Sequence, residues 1–168
     1  MNLSDYIHTI PDFPTPGIAF KDISPLLANP DVFVYTINEM AKKCTDTDLI
    51  VGLDARGFIF GAAVAFALHK PFVMVRKKGK LPGEIVSMDY DLEYGSNTIC
   101  IQKNSIHQGQ NVAIIDDVLA TGGTAQATCR LIEQCGGVIN SLVFLMELEF
   151  LAGRKKLAGY KVSSMIAF

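Results

Sequence analysis

The chain has 168 residues, a length that predicts one domain, residues 1–168, with a single sizeable core. Its formal net charge is −2 with both signs interspersed, so no basic field indicates a nucleic acid or an anionic membrane as a partner. Hydrophobic residues make up 49% of the chain, but no apolar run reaches the roughly 20 residues of a membrane span and no signal pattern opens the sequence, so we expect a cytoplasmic protein.

Residues 1–30, called the hood below, predict a largely non-helical segment that is nevertheless ordered. Ser4 and the spacing of the apolar residues around it favour a short helix to residue 10. Four prolines then argue against a regular helix between residues 11 and 27, yet this stretch is rich in apolar side chains that a disordered linker would lack. Two interpretations stay open: the hood packs over a sheet edge, or Phe20 and its neighbours wall a flat apolar ligand pocket.

Strands and helices alternate through the rest of the chain. We predict helices over residues 30–43, 58–68, 126–135 and 150–157, and strands over residues 49–53, 72–75, 112–115, 138–146 and 160–165. Residues 85–92 and 97–101 alternate in the manner of a β-hairpin. This order predicts an α/β fold, a doubly wound parallel sheet with an antiparallel flap.

Two of the predicted strands are followed by cations and glycine. Asp54, Ala55, Arg56 and Gly57 follow the strand at residues 49–53, where Arg56 is either solvated, paired with the nearby aspartate, or able to hold an anion. After the next strand, RKKGKLPG at residues 76–83 places four cations in five residues. This run is either a solvated turn or, because of its glycines, part of a mobile lid and flap over residues 76–95 that carries cations to a polyanion.

The stretch NVAIIDDVLATGGTA, residues 111–125, is the most informative in the sequence. A strand predicted to stop at Asp116 and Asp117 puts two carboxylates where sugar hydroxyls, a cation or water can engage them. The glycine-threonine turn that follows, residues 120–124, lets backbone N–H groups converge before a helix and predicts a phosphate cradle. It lacks the Gly-Lys-Ser/Thr of a nucleotide P-loop. The alternative is a plain strand-turn-helix corner with a solvated aspartate pair.

Residues 111–125 resemble the motif with which type I phosphoribosyltransferases bind phosphoribosyl diphosphate (PRPP). The resemblance covers nearly the full length, and the motifs DFPTPGIAFKDISPLL, GLDARGF, RKKGKLPG and LEYG resemble the adenine-specific branch of that family. One departure is Lys21, where many members carry arginine; a residue that contributes chiefly backbone contacts to the base tolerates that change.

The resemblance implies that adenine and PRPP give AMP and pyrophosphate in purine salvage, with Mg²⁺ as cofactor and a homodimer as the working form. It implies that Asp116 and Asp117 hold the ribose hydroxyls, with Mg²⁺ held mainly through substrate beside them, and that Glu93 handles the purine proton. The implied 5′-phosphate site comprises Ala120, Thr121, Gly122, Gly123 and Thr124. The implied pyrophosphate site comprises Asp54, Ala55, Arg56, Arg76, Lys77 and Lys80, with some lid cations reaching the partner subunit. The implied adenine site comprises Ala19, Phe20 and Lys21.

Two other functions share this fold. A PRPP-sensing transcriptional regulator would need an added DNA-binding domain or a basic face, and the chain shows neither. An oxopurine phosphoribosyltransferase would need a hydrogen-bond donor opposite O6, where adenine presents an amine. For Glu93 the alternative is an exposed glutamate on a hairpin.

Overall fold

The computed structural model describes residues 1–91 and 95–168, in which strands and helices alternate. The strands are β1 His8–Ile10, β2 Phe20–Asp22, β3 Leu49–Leu53, β4 Phe72–Lys77, β5 Ile85–Asp91, β6 Ser96–Gln102, β7 Asn111–Leu119, β8 Val138–Glu147 and β9 Val162–Ala167. The α-helices are α1 Ser24–Ala28, α2 Pro30–Ala41, α3 Gly57–Leu68 and α4 Gly123–Gln134, and 3-10 helices span Leu3–Tyr6, Glu149–Leu151 and Gly153–Leu157. No helix within these described ranges has the length and apolarity to cross a membrane.

A seven-stranded sheet in the order β5-β6-β4-β3-β7-β8-β9 forms the centre of the molecule. Neighbouring strands from β4 to β9 in this order are parallel, while β6 pairs antiparallel with both β4 and β5, so the predicted hairpin forms one edge. Alternate residues of β3 face opposite sides: Ile50 packs with α2 and α3, and Val51 packs with α4. Two cores on opposite faces of one sheet confirm the doubly wound fold.

The hood differs from its prediction in two places. The helix expected up to residue 10 is wrong, because the backbone becomes extended at Ile7 and β1 pairs antiparallel with β2. The stretch expected to lack helix contains α1, which Pro25 can enter because the first turn of a helix needs no N–H from that residue. Asn29 caps α2, because its side chain accepts hydrogen bonds from the backbone N–H groups of Asp31 and Val32.

Two strands run further than their sequence predicts. β7 continues through the aspartate pair to Leu119, which pairs with Glu147, and β4 continues to Lys77, which pairs with Ile99. The aspartate pair and the first two lid cations therefore lie within strands rather than in loops after them. The helix predicted over residues 150–157 is also wrong: left-handed backbone at Ala152, with φ 51°, separates two 3-10 helices.

Candidate functional site

The candidate site lies at the carboxyl-terminal ends of β3, β4 and β7, where open α/β sheets bind ligands. A cavity of about 200 Å³ is lined by Asp54, Asp116, Phe144 and residues 118–125. A second cavity of about 270 Å³ lies against the lid and flap, and its lining includes Asp54, Arg76, Lys77, Tyr90 and Thr124. Because Asp54 and Thr124 line both cavities, the two form one cleft with a loop at one end and cations at the other.

Residues 120–124, called the phosphate loop, lead from β7 into α4. Gly122 has a φ of 78°, a left-handed conformation that glycine adopts without strain, and Gly123 begins the helix. A Cβ on Gly122 would lie 2.5 Å from the carbonyl oxygen of Gly153, so the loop is packed directly on the backbone of the last 3-10 helix. The positive end of the α4 dipole and its unpaired N–H groups face the cleft, an arrangement that suits an anion.

A cation from a distant part of the sequence lies beside the phosphate loop. The Lys156 ammonium is 3.9 Å from the position that a Cβ on Gly123 would occupy. The carbonyl of Lys156 accepts a hydrogen bond of 2.9 Å from the Gln126 side chain of α4. The same segment is held to the sheet by Arg154, which donates to both carboxylate oxygens of buried Glu147. Sequence analysis found no function for Lys156, because only the fold brings it to the loop.

The two aspartates differ in their surroundings. Asp116 accepts a hydrogen bond from the Asp117 backbone N–H, whereas the Asp117 carboxylate lies 2.6 Å from the Arg56 guanidinium, measured from Oδ2 to Nη2. That Asp117 oxygen forms an ion pair without hydrogen-bond geometry and is otherwise unpartnered among the described residues. Burial raises the pKa of Asp116 well above its usual value, and the Asp117 charge adds to this effect. Burial also raises the pKa of Asp117, although the Arg56 charge opposes the rise.

Arg56 connects the aspartate pair to the hood. Its Nη1 donates to the carbonyl of Lys21 at 3.1 Å, and its Cζ lies 4.9 Å from the centre of the Phe20 ring. The sequence left open that Arg56 pairs with the nearby Asp54. That alternative is wrong, because Arg56 pairs with Asp117 and Asp54 pairs with Arg76. The fold brings the two together because α3 follows β3, and β3 is the neighbour of β7 in the sheet.

The hood residues that are predicted to bind adenine lie close to Arg56. The Phe20 ring is half-buried and packs edge-on against Phe13 with centroids 5.1 Å apart. The Lys21 ammonium turns away, donating to Thr9 and lying 3.7 Å from the centre of the Phe168 ring. Lys21 therefore presents backbone toward Arg56, while its side chain is engaged elsewhere; Ala19 is exposed beside it.

Of the lid cations predicted to bind pyrophosphate, Arg76 is held by hydrogen bonds, whereas Lys77 and Lys80 are exposed. Arg76 donates from Nε to Asp54 at 3.0 Å and from Nη1 to the carbonyl of Lys80 at 3.3 Å. Of the two exposed lysines, Lys77 lines the cavity of about 270 Å³. Ala55 follows Asp54 through a cis peptide bond. Glu93 lies outside the described residues, so its predicted position at the purine is untested.

Tyr90 is a second residue that sequence analysis missed. It lies on the flap strand β5, and its hydroxyl is 3.0 Å from the Thr124 hydroxyl of the phosphate loop. Strand alternation in MDYDLEYG placed Tyr90 in the flap, but nothing local to that stretch indicates which loop it meets.

Comparisons with known proteins agree with this geometry. Residues 25–167 match the model of the family described as phosphoribosyl transferase domain. The adenine phosphoribosyltransferase of Mesomycoplasma hyopneumoniae is 56% identical over 99% of this chain and 97% of its own length. The crystal structure of adenine phosphoribosyltransferase from Thermoanaerobacter pseudethanolicus is 49% identical, with a TM-score of 0.96 over 99% of this chain and 98% of that one.

A third similar protein has been solved with its base. The adenine phosphoribosyltransferase of Saccharomyces cerevisiae, complexed with D-2,5-dideoxy-2,5-imino-altritol 1,6-bisphosphate and adenine, is 43% identical, with a TM-score of 0.90 over 96% of this chain and 95% of that one. The fold and the site thus define a phosphoribosyltransferase. The chain belongs to the phosphoribosyl transferase domain family and, within it, to the adenine phosphoribosyltransferases.

Proposed function

We propose that the cleft transfers the 5-phosphoribosyl group of PRPP to N9 of adenine, giving AMP and pyrophosphate in purine salvage. The observation that carries this proposal is the convergence, at one end of the sheet, of a phosphate loop, an aspartate pair of which Asp116 lines the cleft, and an arginine that joins Asp117 to the aromatic hood. Three chemically different parts of the two substrates, the phosphorylated ribose, the pyrophosphate and the flat base, each meet a matching surface.

The phosphorylated ribose belongs in the cavity of about 200 Å³. The backbone of the phosphate loop supplies donors to the 5′-phosphate, and Lys156 adds a positive charge beside Gly123. Asp116 and Asp117 accept hydrogen bonds from the ribose hydroxyls. As the bond from C1′ to pyrophosphate breaks, the ribose gains positive charge, which these carboxylates stabilise electrostatically.

Pyrophosphate leaves toward the cationic end of the cleft. We assign its binding to Arg56, to the backbone of Asp54 and Ala55, and to the lid residues Arg76, Lys77 and Lys80. Hydrogen bonds from Arg76 to Asp54 and to the carbonyl of Lys80 already join three of these residues. In the structure Arg56 pairs with Asp117, and Arg76 pairs with Asp54. Each guanidinium group therefore has a fixed position, and an aspartate neutralises part of its positive charge. Binding of the polyanion then competes for these guanidinium groups, which links the positions of the lid and the aspartate pair to the substrate.

The hood selects the base. The purine stacks on Phe20, and backbone groups around Ala19 and Lys21 pair with its N6 amine and N1. The Lys21 carbonyl already accepts from Arg56, but a carbonyl has a second lone pair for the amine. The imidazole ring of adenine must lose one proton as N9 forms its bond to C1′, and Glu93 is our candidate to accept that proton from N7.

The donor set at the cleft fits Mg²⁺ only in company with substrate. Among the described residues no group of three or more His, Cys, Asp or Glu could hold a metal ion alone. The buried Asp117 oxygen that lacks a hydrogen bond, together with Asp116, offers the hard oxygen ligands that Mg²⁺ prefers. When bound with PRPP, the ion would neutralise charge on the leaving pyrophosphate.

A second copy of this chain is the partner we propose for the exposed face of α3. Phe66 is 83% exposed, and Ile59 lies two turns earlier on the same face of a helix that carries no charged residue. An apolar helix face of this kind is typical of a subunit interface, and it would bring lid cations toward the partner's cleft. Phe66→Glu should dissociate the homodimer in analytical ultracentrifugation. Phe150→Glu, at a comparably exposed position on a 3-10 helix, should leave the assembly intact; equal effects of the two variants would refute this interface.

The remaining part of the proposal concerns location. All four cysteines are free, which supports a reducing compartment such as the cytoplasm.

Steady-state assays with PRPP and either adenine, hypoxanthine, guanine or xanthine test the proposed reaction. We expect AMP from adenine and little product from the oxopurines, because their O6 and N1–H would leave hood groups unpaired. Phe20→Leu should raise the KM for adenine more than that for PRPP, whereas Phe150→Leu should change neither. Comparable turnover of hypoxanthine would refute the hood's role in selecting the base.

A further inference from the structure

The flap touches the phosphate loop through a pair of hydroxyl groups. Tyr90 extends from β5 so that its hydroxyl lies 3.0 Å from the Thr124 hydroxyl, and its ring lies 3.8 Å from the position of a Cβ on Gly123. Tyr90 is half-buried, and Thr124 lines both cavities of the cleft. The contact joins the edge strand of the sheet to the first turn of α4.

The chemistry of the ligand determines the direction of this hydrogen bond in the complex. A hydroxyl can donate one hydrogen bond and accept two, whereas a phosphate oxygen only accepts. If the Thr124 hydroxyl is to donate to the 5′-phosphate, its own proton must point into the cleft. Tyr90 can then only donate to Thr124, and by doing so it holds the Thr124 proton in the orientation that the phosphate requires.

We propose that Tyr90 is a positioning residue for the 5′-phosphate, acting through Thr124 and tying the flap to the phosphate loop. This inference rests on the proposed function, because it assumes that the loop binds the 5′-phosphate of PRPP and AMP. The relay from Tyr90 to Thr124 to phosphate is a chain of hydrogen bonds in which each donor strengthens the next. Binding of the phosphate and docking of β5 therefore favour each other.

A double-mutant cycle tests this relay. Tyr90→Phe removes the hydroxyl and keeps the ring against Gly123, and Thr124→Val removes the hydroxyl that Tyr90 orients. The readouts are dissociation constants for AMP, ribose 5-phosphate and pyrophosphate from calorimetry, with melting temperatures to confirm folding. Tyr160→Phe is the matched control, since its hydroxyl also donates one hydrogen bond to α4, to Glu133 at 2.9 Å, but at a site away from the cleft.

We expect Tyr90→Phe to weaken AMP and ribose 5-phosphate about 3- to 10-fold, the value of one neutral hydrogen bond, and to leave pyrophosphate unchanged. Thr124→Val should weaken the same two ligands about 10-fold or more, because it removes a donor to a charged group. In the Thr124→Val background the effect of Tyr90→Phe should vanish. Tyr160→Phe should bind all three ligands as the wild type does.

Other outcomes separate the inference from the proposed function. Thr124→Val with unchanged AMP and ribose 5-phosphate binding would refute the phosphate site itself, and the relay with it. If Thr124→Val weakens both ligands but Tyr90→Phe weakens pyrophosphate equally, tightens AMP, or has the same effect in both backgrounds, the phosphate site stands and the relay is wrong.

Discussion

Replacement of Asp117 by asparagine separates a chemical role of the aspartate pair from a structural one. The Asp117 side chain is only 6% exposed, and its one close charged partner in the described structure is Arg56. Asparagine keeps the volume and loses the charge. The substitution does not leave Arg56 as an unpaired buried charge, because Arg56 is 33% exposed and still donates to the carbonyl of Lys21.

The pKa of Asp117 gives the sign of the effect on stability. Burial raises the pKa of Asp117 above its usual value, so the folded protein holds the proton more tightly than the unfolded chain does. Ionisation of Asp117 therefore opposes folding increasingly as the pH rises from about 4 through the raised pKa. The asparagine variant escapes this cost and loses the Arg56 pair in exchange. We expect its free energy of unfolding at pH 7 to lie within about 1 kcal/mol of wild type, and any gain to shrink toward pH 4.

The expected effect on catalysis is much larger. A hydrogen bond from a ribose hydroxyl to a charged acceptor contributes about 1.5–3 kcal/mol, so its loss lowers kcat/KM about 10- to 150-fold. The assay is AMP formation at saturating adenine, with thermal melts at pH 5 and pH 7. Asp48→Asn is the control, because Asp48 accepts one backbone hydrogen bond at the other end of β7. A melting temperature that falls with activity in the Asp117 variant would show a structural role and refute the reasoning.

Four further predictions follow from the same cleft. Lys80→Ala should weaken PRPP and pyrophosphate binding about 10-fold while leaving AMP binding nearly unchanged, and equal weakening of all three in calorimetry would contradict a pyrophosphate role. Glu93→Gln should lower turnover about 10²-fold with PRPP affinity retained. An unchanged rate of the chemical step in rapid-mixing experiments would contradict a role of Glu93 in proton transfer. Lys156→Ala should weaken AMP binding about 2- to 5-fold, more at low salt than at high salt, whereas Lys155→Ala, its exposed neighbour, should have no effect. Gly122→Ala should lower the free energy of unfolding in urea by about 2–5 kcal/mol, from left-handed strain plus overpacking, and an unchanged midpoint would show that the phosphate loop can move.

Local signals in the sequence were enough to predict most of the elements. The strand at residues 49–53 has the predicted bounds, because five consecutive apolar or glycine residues between polar ones indicate a buried strand. The glycine-threonine turn before α4 was likewise recognisable, since glycine with positive φ and two hydroxyls serve a loop that must pass close to a ligand. Each of these inferences depends only on neighbours in the chain.

Contacts between distant segments were beyond the reach of the sequence. Asp54 was the obvious partner for Arg56 because it lies two residues away, yet Arg56 pairs with Asp117. Tyr90 and Lys156 both approach the phosphate loop, one from the flap and one from a 3-10 helix that was predicted as an α-helix. Strand ends were also misplaced, because pairing with β8 extends β7 through two aspartates that end its apolar run.

The order of the strands explains why these distant residues meet. β3 connects through α3 to β4 on one side, and β7 connects through α4 to β8 on the other, so the chain changes direction between β3 and β7. A crevice opens between the carboxyl ends of two such strands, because their helices leave on opposite faces. The first residue of α3, Gly57, lies so close to β7 that a Cβ there would be 2.6 Å from Oδ1 of Asp116. With no side chain at Gly57, the preceding residue, Arg56, can reach Asp117. Arg56, which we propose binds pyrophosphate, and Asp117, which we propose binds ribose, are thus neighbours because of topology. This arrangement would let the two halves of one substrate be held at a single point of the fold.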